Sequence, residues 1–206
     1  MLMSSFLEEE VPPVRPLSVA AIEELGRCFL DQLSPDSLGS PKPLDVAKLS
    51  EVILPQFGIH TIPASAEELG NRAGATDPKG DGDVNILVNE EVWDDLVEPP
   101  PQCYFARSTV CHEIGHAVLH VPTLRRHMLV ADTLNRVQRR RLKAYEDPEW
   151  QAWMFAGSIL MPSSTLRMMM NEAEMLSLSE VSEVYDVSEP MANSHLRRLK
   201  WCQVSA

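Results

Sequence analysis

Cysteine is scarce and scattered in this chain. Cys28, Cys103, Cys111 and Cys202 form no C-x-x-C pair and no secretory signature accompanies them. That argues against a disulfide framework and for reduced thiols in structural or incidental roles, Cys111 included. Long apolar runs are missing as well. The opening MLMSSFLEEE has neither a basic start nor a sustained hydrophobic stretch, and nothing further on reaches the roughly eighteen apolar residues of a membrane span. A cytoplasmic protein with no membrane association is the expectation. Positive charge is also in deficit, with 18 Lys and Arg against 30 Asp and Glu, a formal net charge of −12. A surface of that sign repels phosphates, so direct nucleic-acid binding is not expected of the molecule as a whole. Internal repeats and low-complexity tracts are absent too.

What remains is a chain of 206 residues, 44% hydrophobic and 23% charged, enough to bury a sizeable core in one domain with a small appendage. LSVAAIEELGRCFLDQL has helical periodicity behind a cap at Ser18, and SPDSLGSPKP interrupts it. LDVAKLSEVILPQ is a second helical pattern that stops near Pro55, and FGIHTIP alternates as a short strand does. Ser65 and Glu68 have capping-box spacing before Gly70, DPKGDGD reads as a turn, and VNILVN is the best strand pattern. Asp77, Asp81 and Asp83 do not follow the ligand order of a calcium loop. From about Cys103 the chain reads as helix after helix. The class expected is α+β, divided into an N-terminal helix and linker (1–43), a core (44–165) and a C-terminal helical part resembling a helix-turn-helix (166–206).

The stretch CHEIGHAVLH, residues 111–120, carries the chemistry. Residues four apart on a helix project from one face, so His112 and His116 can aim at a single point with Glu113 on the adjacent flank. Two neutral imidazoles suit a zinc ion, and the intervening carboxylate can act as base toward a water the metal activates. Val110, Ile114, Ala117, Val118 and Leu119 supply the buried face, and Gly115 leaves room beside the site. A buried His-Glu-His group without a cation would leave polar groups in search of partners.

A catalytic zinc usually takes a third protein ligand. His120 lies about 12 Å from His112 along the axis, too far to share one ion, and reads as a packing or capping residue at the helix end. Position 122 is Pro, so a third histidine six residues beyond His116 is ruled out. The better candidate is Glu149, in the first turn of a helix opened by Pro148 and burying Ala152, Phe155, Ala156 and Ile159. Its rivals Glu146 and Asp147 precede that proline and fall in the connecting loop.

STVCHEIGHAVLH followed by EWQAWMFAGSILMP resembles the ImmA/IrrE family of metallopeptidases, whose usual second motif is E-x-x-A-x-x-F-A-x-x-L-(L/M)-P. Glu149, Ala152, Phe155, Ala156, Leu160, Met161 and Pro162 fill it. DVNILVNEEV is similar to the family's sheet ahead of the active-site helix, and LSLSEVSEVYDVSEPMANSHLRRL to its later helical segment, so the likeness extends over most of residues 44–200. Trp153 stands where Asn is usual and Gln151 where a second Glu is frequent, and neither departure touches a candidate ligand. The resemblance implies a zincin-like helix packed on a small sheet. It also implies a stand-alone zinc-dependent endopeptidase with Glu113 as general base and His112, His116 and Glu149 as metal ligands. Its substrate would be a regulatory protein such as a helix-turn-helix transcriptional repressor, whose cleavage switches on stress-response or mobile-element genes. Manganese or iron can occupy the same ligand set. The competing reading is a non-catalytic regulator that keeps the metal and acts by binding a partner or DNA. An intact Glu113 speaks against it.

Seven of the eighteen basic residues fall in RRHMLVADTLNRVQRRRLK, between the two ligand-bearing helices. The segment reads as a solvated basic face or as a partner surface beside the cleft. His127 and Tyr145 are candidate donors to a tetrahedral intermediate, His60 reads as structural, and Met168–Met170 as core in preference to an adaptable contact surface.

Overall fold

The computed structural model describes residues 10–11, 14–80, 82–98, 103–122, 137–138, 142–172 and 177–201. Strand β1 (Glu10–Val11) pairs antiparallel with the short β5 (Val137–Gln138). Ser18 then opens α1 (Val19–Leu33), its Oγ accepting from the Ala21 N–H, one of the donors a helix start leaves unpaired. Ile22, Gly26 and Leu30 recur every four residues as its buried stripe. An irregular helical run follows. It begins as α2 (Val46–Lys48), widens to a π-turn over Leu49–Ile53 and tightens to a 3-10 turn over Leu54–Phe57. Gly58, with φ of 71°, ends it in the left-handed region that a Cβ disfavours.

Three strands form the sheet: β2 (Ile59–Ala64), β3 (Gly74–Pro78) and β4 (Val84–Asn89). Their order is β2-β4-β3, with β2 parallel and β3 antiparallel to the central β4. VNILVN alternates as its pattern predicts, placing Val84, Ile86 and Val88 in the core. Between β2 and β3, α3 (Ala66–Leu69) is a single turn closed by a reciprocal capping box. Ser65 Oγ accepts from the Glu68 N–H at 3.3 Å, and Glu68 Oε2 accepts from the Ser65 N–H at 2.9 Å. Strand β3 has no sequence signal: GATDP holds a glycine and a proline, both poor strand formers. Pairing with β4 makes it the sheet edge, and Pro78 sits at its end, where a missing N–H costs least.

Beyond α4 (Glu90–Val97) the described chain is largely helical, with α5 (Tyr104–Leu119), α6 (Pro148–Leu160), α7 (Ser163–Glu172), α8 (Leu178–Tyr185) and α9 (Glu189–Arg198). The fold is α+β, a small sheet followed by helices. Helix α5 lies between the sheet and α6, whose far side packs on α1 and α9. Enclosure on all sides explains why both helices are apolar nearly all round: Val110, Ile114, Phe155, Ala156 and Ile159 are fully buried. The turn between α8 and α9 is tight, as expected, with Asp186 in the left-handed region at φ 51°. Arg107 of α5 pins it, donating to the Asp186 carbonyl at 3.0 Å and the Tyr185 carbonyl at 3.3 Å while pairing with the Asp186 carboxylate at 3.1 Å. Ala192, His195 and Leu196 of α9 turn inward to the core. The methionine run is not core: Met168 and Met170 are exposed and only Met169 packs against it, because α7 buries its Thr165 and Leu166 face instead. Among the described residues no helix is long and apolar enough to cross a membrane.

Glu23 of α1 faces the wholly buried His195 of α9, Oε1 to Nε2 at 3.6 Å. Burial pushes the Glu23 carboxyl up to about 7, against smaller lowering effects from Ser163 and Arg167. Burial also pushes His195 down to about 3. A carboxyl raised in the folded state stabilises the fold while protonated, a contribution present below 4.5 and lost as pH rises through about 7. The depressed histidine acts in the opposite sense and disfavours the fold as pH falls below 6.5. Between 4.5 and 6.5 the two effects offset each other, so stability should be greatest there and fall as pH rises further to about 7. Glu23→Gln should abolish the alkaline limb and be more stable than wild type near pH 8 by about 1–3 kcal/mol. Urea unfolding at about pH 6 and pH 8 measures this, and an unchanged alkaline loss in the variant would contradict it.

Candidate metal centre

His112 and His116 stand one turn apart on α5 with their Nε2 atoms 3.0 Å from each other and their rings edge to face. Glu149 reaches them from the first turn of α6. Pro148 opens that helix, and Asp147 caps it by accepting from the Glu149 N–H at 3.1 Å. Glu149 Oε2 lies 3.2 Å from His112 Nε2, and Oε1 lies 3.2 Å from His116 Nε2. The three residues form a group able to hold a metal ion, one donor atom from each falling within 4.8 Å of the others. Ligands about 2.0–2.1 Å from a tetrahedral ion stand roughly 3.3 Å apart. The separations of 3.0, 3.2 and 3.2 Å lie close to that edge length, so the donor set fits a zinc-sized cation. Burial opposes ionisation of Glu149, but hydrogen bonds and charge from His112 and His116 outweigh it and hold the carboxyl below the usual carboxylate range. His116 is raised: burial works against its protonation, and Glu149 overcomes that.

The helices meet closely enough for this only because of Gly115. A Cβ there would lie 3.0 Å from both Cα and the carbonyl oxygen of Ala152, tight enough that the neighbouring backbone would have to shift, so small residues on both helices set the crossing distance.

Glu113 is buried beside the cluster, and strand β3 holds it. Thr76 Oγ1 donates to Glu113 Oε2 at 2.8 Å and also contacts the Glu113 carbonyl oxygen at 3.1 Å. Gly74 on the same strand leaves the side chain its space, since a Cβ there would come within 2.9 Å of Glu113 Cγ. Sequence reasoning missed Thr76 and Gly74, because β3 itself was invisible.

Two further neighbours are corrections. Trp153 does touch a candidate ligand: its ring packs on His112 with centroids 4.3 Å apart. Gln151 acts at one remove. His120 does not join the three-residue group but bonds to the far nitrogen of His116, Nδ1 to Nδ1 at 2.9 Å, and its Nε2 meets Gln151 Oε1 at 3.1 Å. Burial pushes His120 down to about 3. The signal was present, because His120 follows His116 by the same four residues that relate His116 to His112. His112 has no such partner: its Nδ1 is buried without a hydrogen bond among the described residues, and the ring is held by packing.

Other candidates fall elsewhere. Glu146 accepts from the Lys143 N–H at 3.0 Å, and Asp147 is the helix cap. His60 pairs at 3.5 Å with Asp83 on an exposed face. The Tyr145 ring lies exposed under the Lys143 ammonium, 5.6 Å away. Cys111 is wholly buried, and burial pushes its thiol up to about 12. His127 and most of the basic segment lie outside the described residues.

Two histidines, a facing glutamate and a flanking carboxylate are the parts of a hydrolytic metal site. A family model described as the IrrE N-terminal-like domain, peptidase M78, matches residues 106–197. That stretch, which holds His112, Glu113, His116 and Glu149, is similar to the family. The sheet lies ahead of the matched span. No curated protein matches the chain. The match and the three-residue cluster support a metallopeptidase-type function, which implies a protein as substrate.

Replacing Gly115 by Ala tests the crossing. Glycine in a helix costs about 0.8–1.0 kcal/mol relative to alanine, so an unobstructed site would gain stability. Overpacking against the fixed Ala152 backbone costs about 1–3 kcal/mol, and the net outcome should be destabilisation together with weaker metal binding. Thermal unfolding and zinc titration report the two effects. A more stable variant with undiminished affinity would show that the crossing tolerates the methyl group.

Proposed function

We propose that the protein is a zinc-dependent endopeptidase in which His112, His116 and Glu149 hold the metal and Glu113 is the general base. The observation that carries this reading is the convergence of the three donors beside a buried Glu113 that Thr76 orients. When bound, the metal supplies Lewis acidity for activating water and polarising the scissile carbonyl. Glu113 takes the proton from the attacking water and passes it to the departing amine. The Thr76 hydroxyl holds one carboxylate oxygen and leaves the other for that transfer. Edge strand β3 borders Glu113 through Gly74 and Thr76, and its outward backbone groups suit pairing with an extended substrate segment. The family resemblance favours one cytoplasmic regulatory protein, a helix-turn-helix transcriptional repressor, as substrate. A general protease in the cytoplasm would damage its host, which supports selectivity. Manganese or iron in place of zinc would leave these roles unchanged.

Metal-loaded protein incubated with a candidate repressor should yield two defined fragments by mass spectrometry. Glu113→Gln should retain nearly stoichiometric metal while cleaving at least about 10²-fold more slowly. Equal cleavage by variant and wild type would remove Glu113 as the base.

The ligand set has its own test. Glu149→Ala should lower zinc affinity by orders of magnitude, because two imidazoles alone hold the ion poorly. Glu146→Ala, which removes a carboxylate occupied by the Lys143 N–H, should leave affinity unchanged. The reverse pattern would move the third ligand into the loop.

A further inference from the structure

We propose that Gln151 and His120 are positioning residues that hold His116 with its proton on Nδ1, so that the Nε2 lone pair faces His112 and Glu149. The proposal rests on His116 being a metal ligand, as above, but the chain of hydrogen bonds that carries it needs no ion.

Its outer end is fixed by two carbonyl groups. Gln151 Nε2 lies 2.9 Å from the Arg15 carbonyl oxygen and 2.8 Å from that of Tyr145. Carbonyl oxygens only accept, so the amide nitrogen must stand there, and both its N–H bonds are used. The reversed amide would set oxygen against two oxygens. The remaining amide atom, Oε1, is an acceptor 3.1 Å from His120 Nε2, and that nitrogen must therefore carry a proton. A neutral imidazole protonated at Nε2 offers only a lone pair at Nδ1. His120 Nδ1 faces His116 Nδ1 at 2.9 Å, so the proton between them belongs to His116. With Nδ1 donating, Nε2 of His116 is the coordinating atom, the one that lies 3.0 Å from His112 Nε2 and 3.2 Å from Glu149 Oε1. Each step follows from the donor and acceptor inventory, and the whole chain is anchored on the backbone at Arg15 and Tyr145, outside both helices.

Such outer partners commonly contribute 10–100-fold in metal affinity. The relay is also sensitive to chemistry rather than bulk. Gln151→Glu keeps an acceptor for His120 Nε2 but has too few protons for both carbonyls. Gln151→Leu keeps the volume and loses the acceptor, and His120→Phe keeps a ring and removes the link.

The decisive measurement uses the wild-type protein uniformly labelled with ¹⁵N. A through-hydrogen-bond nitrogen–nitrogen coupling between His116 Nδ1 and His120 Nδ1 is expected, with the shared proton on His116 and a second proton on His120 Nε2, both with and without zinc. Zinc titration should show Gln151→Leu and His120→Phe each weakened by about 10–100-fold, with the double variant no weaker than His120→Phe alone. Gln151→Glu should hold wild-type affinity within about threefold while losing thermal stability, a split that a purely structural glutamine would not produce. His116 found with its proton on Nε2 and none on Nδ1, or no coupling in the wild-type protein, overturns the relay even if the variants do not fold. Zinc affinity unmoved in His120→Phe overturns it as well. Failure of the endopeptidase reading looks different: the coupling is present while zinc does not bind, or binds without cleavage.

Discussion

Two histidines and two glutamates are drawn into the space where α5 crosses α6, and the rest of the structure answers to the cost of burying them. A polar group taken out of water without a partner costs several kcal/mol, and a charged one more. At this crossing the groups partner one another: His112 and His116 with Glu149, and Glu113 with Thr76. That solution works only if the backbones approach closely, which is why Gly115 meets Ala152 and Gly74 meets Glu113 with no room for another carbon. The same small residues that permit the packing bring His112, His116 and Glu149 within reach of one cation, with Glu113 beside them.

The demand for partners spreads outward from the crossing. His116 uses its second nitrogen on His120, His120 on Gln151, and Gln151 on the main chain at Arg15 and Tyr145. The segment entering α1 and the turn leading into α6 are thereby tied to the site, and the Leu17 N–H donates to that same Tyr145 carbonyl at 3.0 Å. His112 is held otherwise, by the tilted contact of the Trp153 ring. One candidate ligand is thus oriented through hydrogen bonds and the other through packing. Trp153 is also partly exposed.

The surrounding helices serve as a frame. Arg107, one turn before the motif on α5, fastens the α8–α9 turn through two carbonyls and a carboxylate, while α1 and α9 close over the opposite side of α6. Helices α8 and α9 have the connection of a helix-turn-helix, yet α9 turns Ala192, His195 and Leu196 into the core.

Features that depend on neighbours in the chain were legible in the sequence. The four-residue spacing of His112 and His116, the Ser18 cap, the Ser65–Glu68 box and the alternation of VNILVN each follow from a helical or strand period acting over a few residues. Glu149 was legible for the same reason: Pro148 starts its helix, and Ala152, Phe155 and Ala156 mark the face from which it projects. Tertiary structure alone decided what depends on residues far apart meeting. GATDP is a strand only because β4 offers it an edge, and through it Thr76 finds Glu113 across 37 positions. His120 does cap the helix end, as its position implies, but only α6 could place Gln151 against its ring, across 31 positions. Local periods fix which way a side chain points, but donors and acceptors are matched by the fold, and no spacing along the chain records that match.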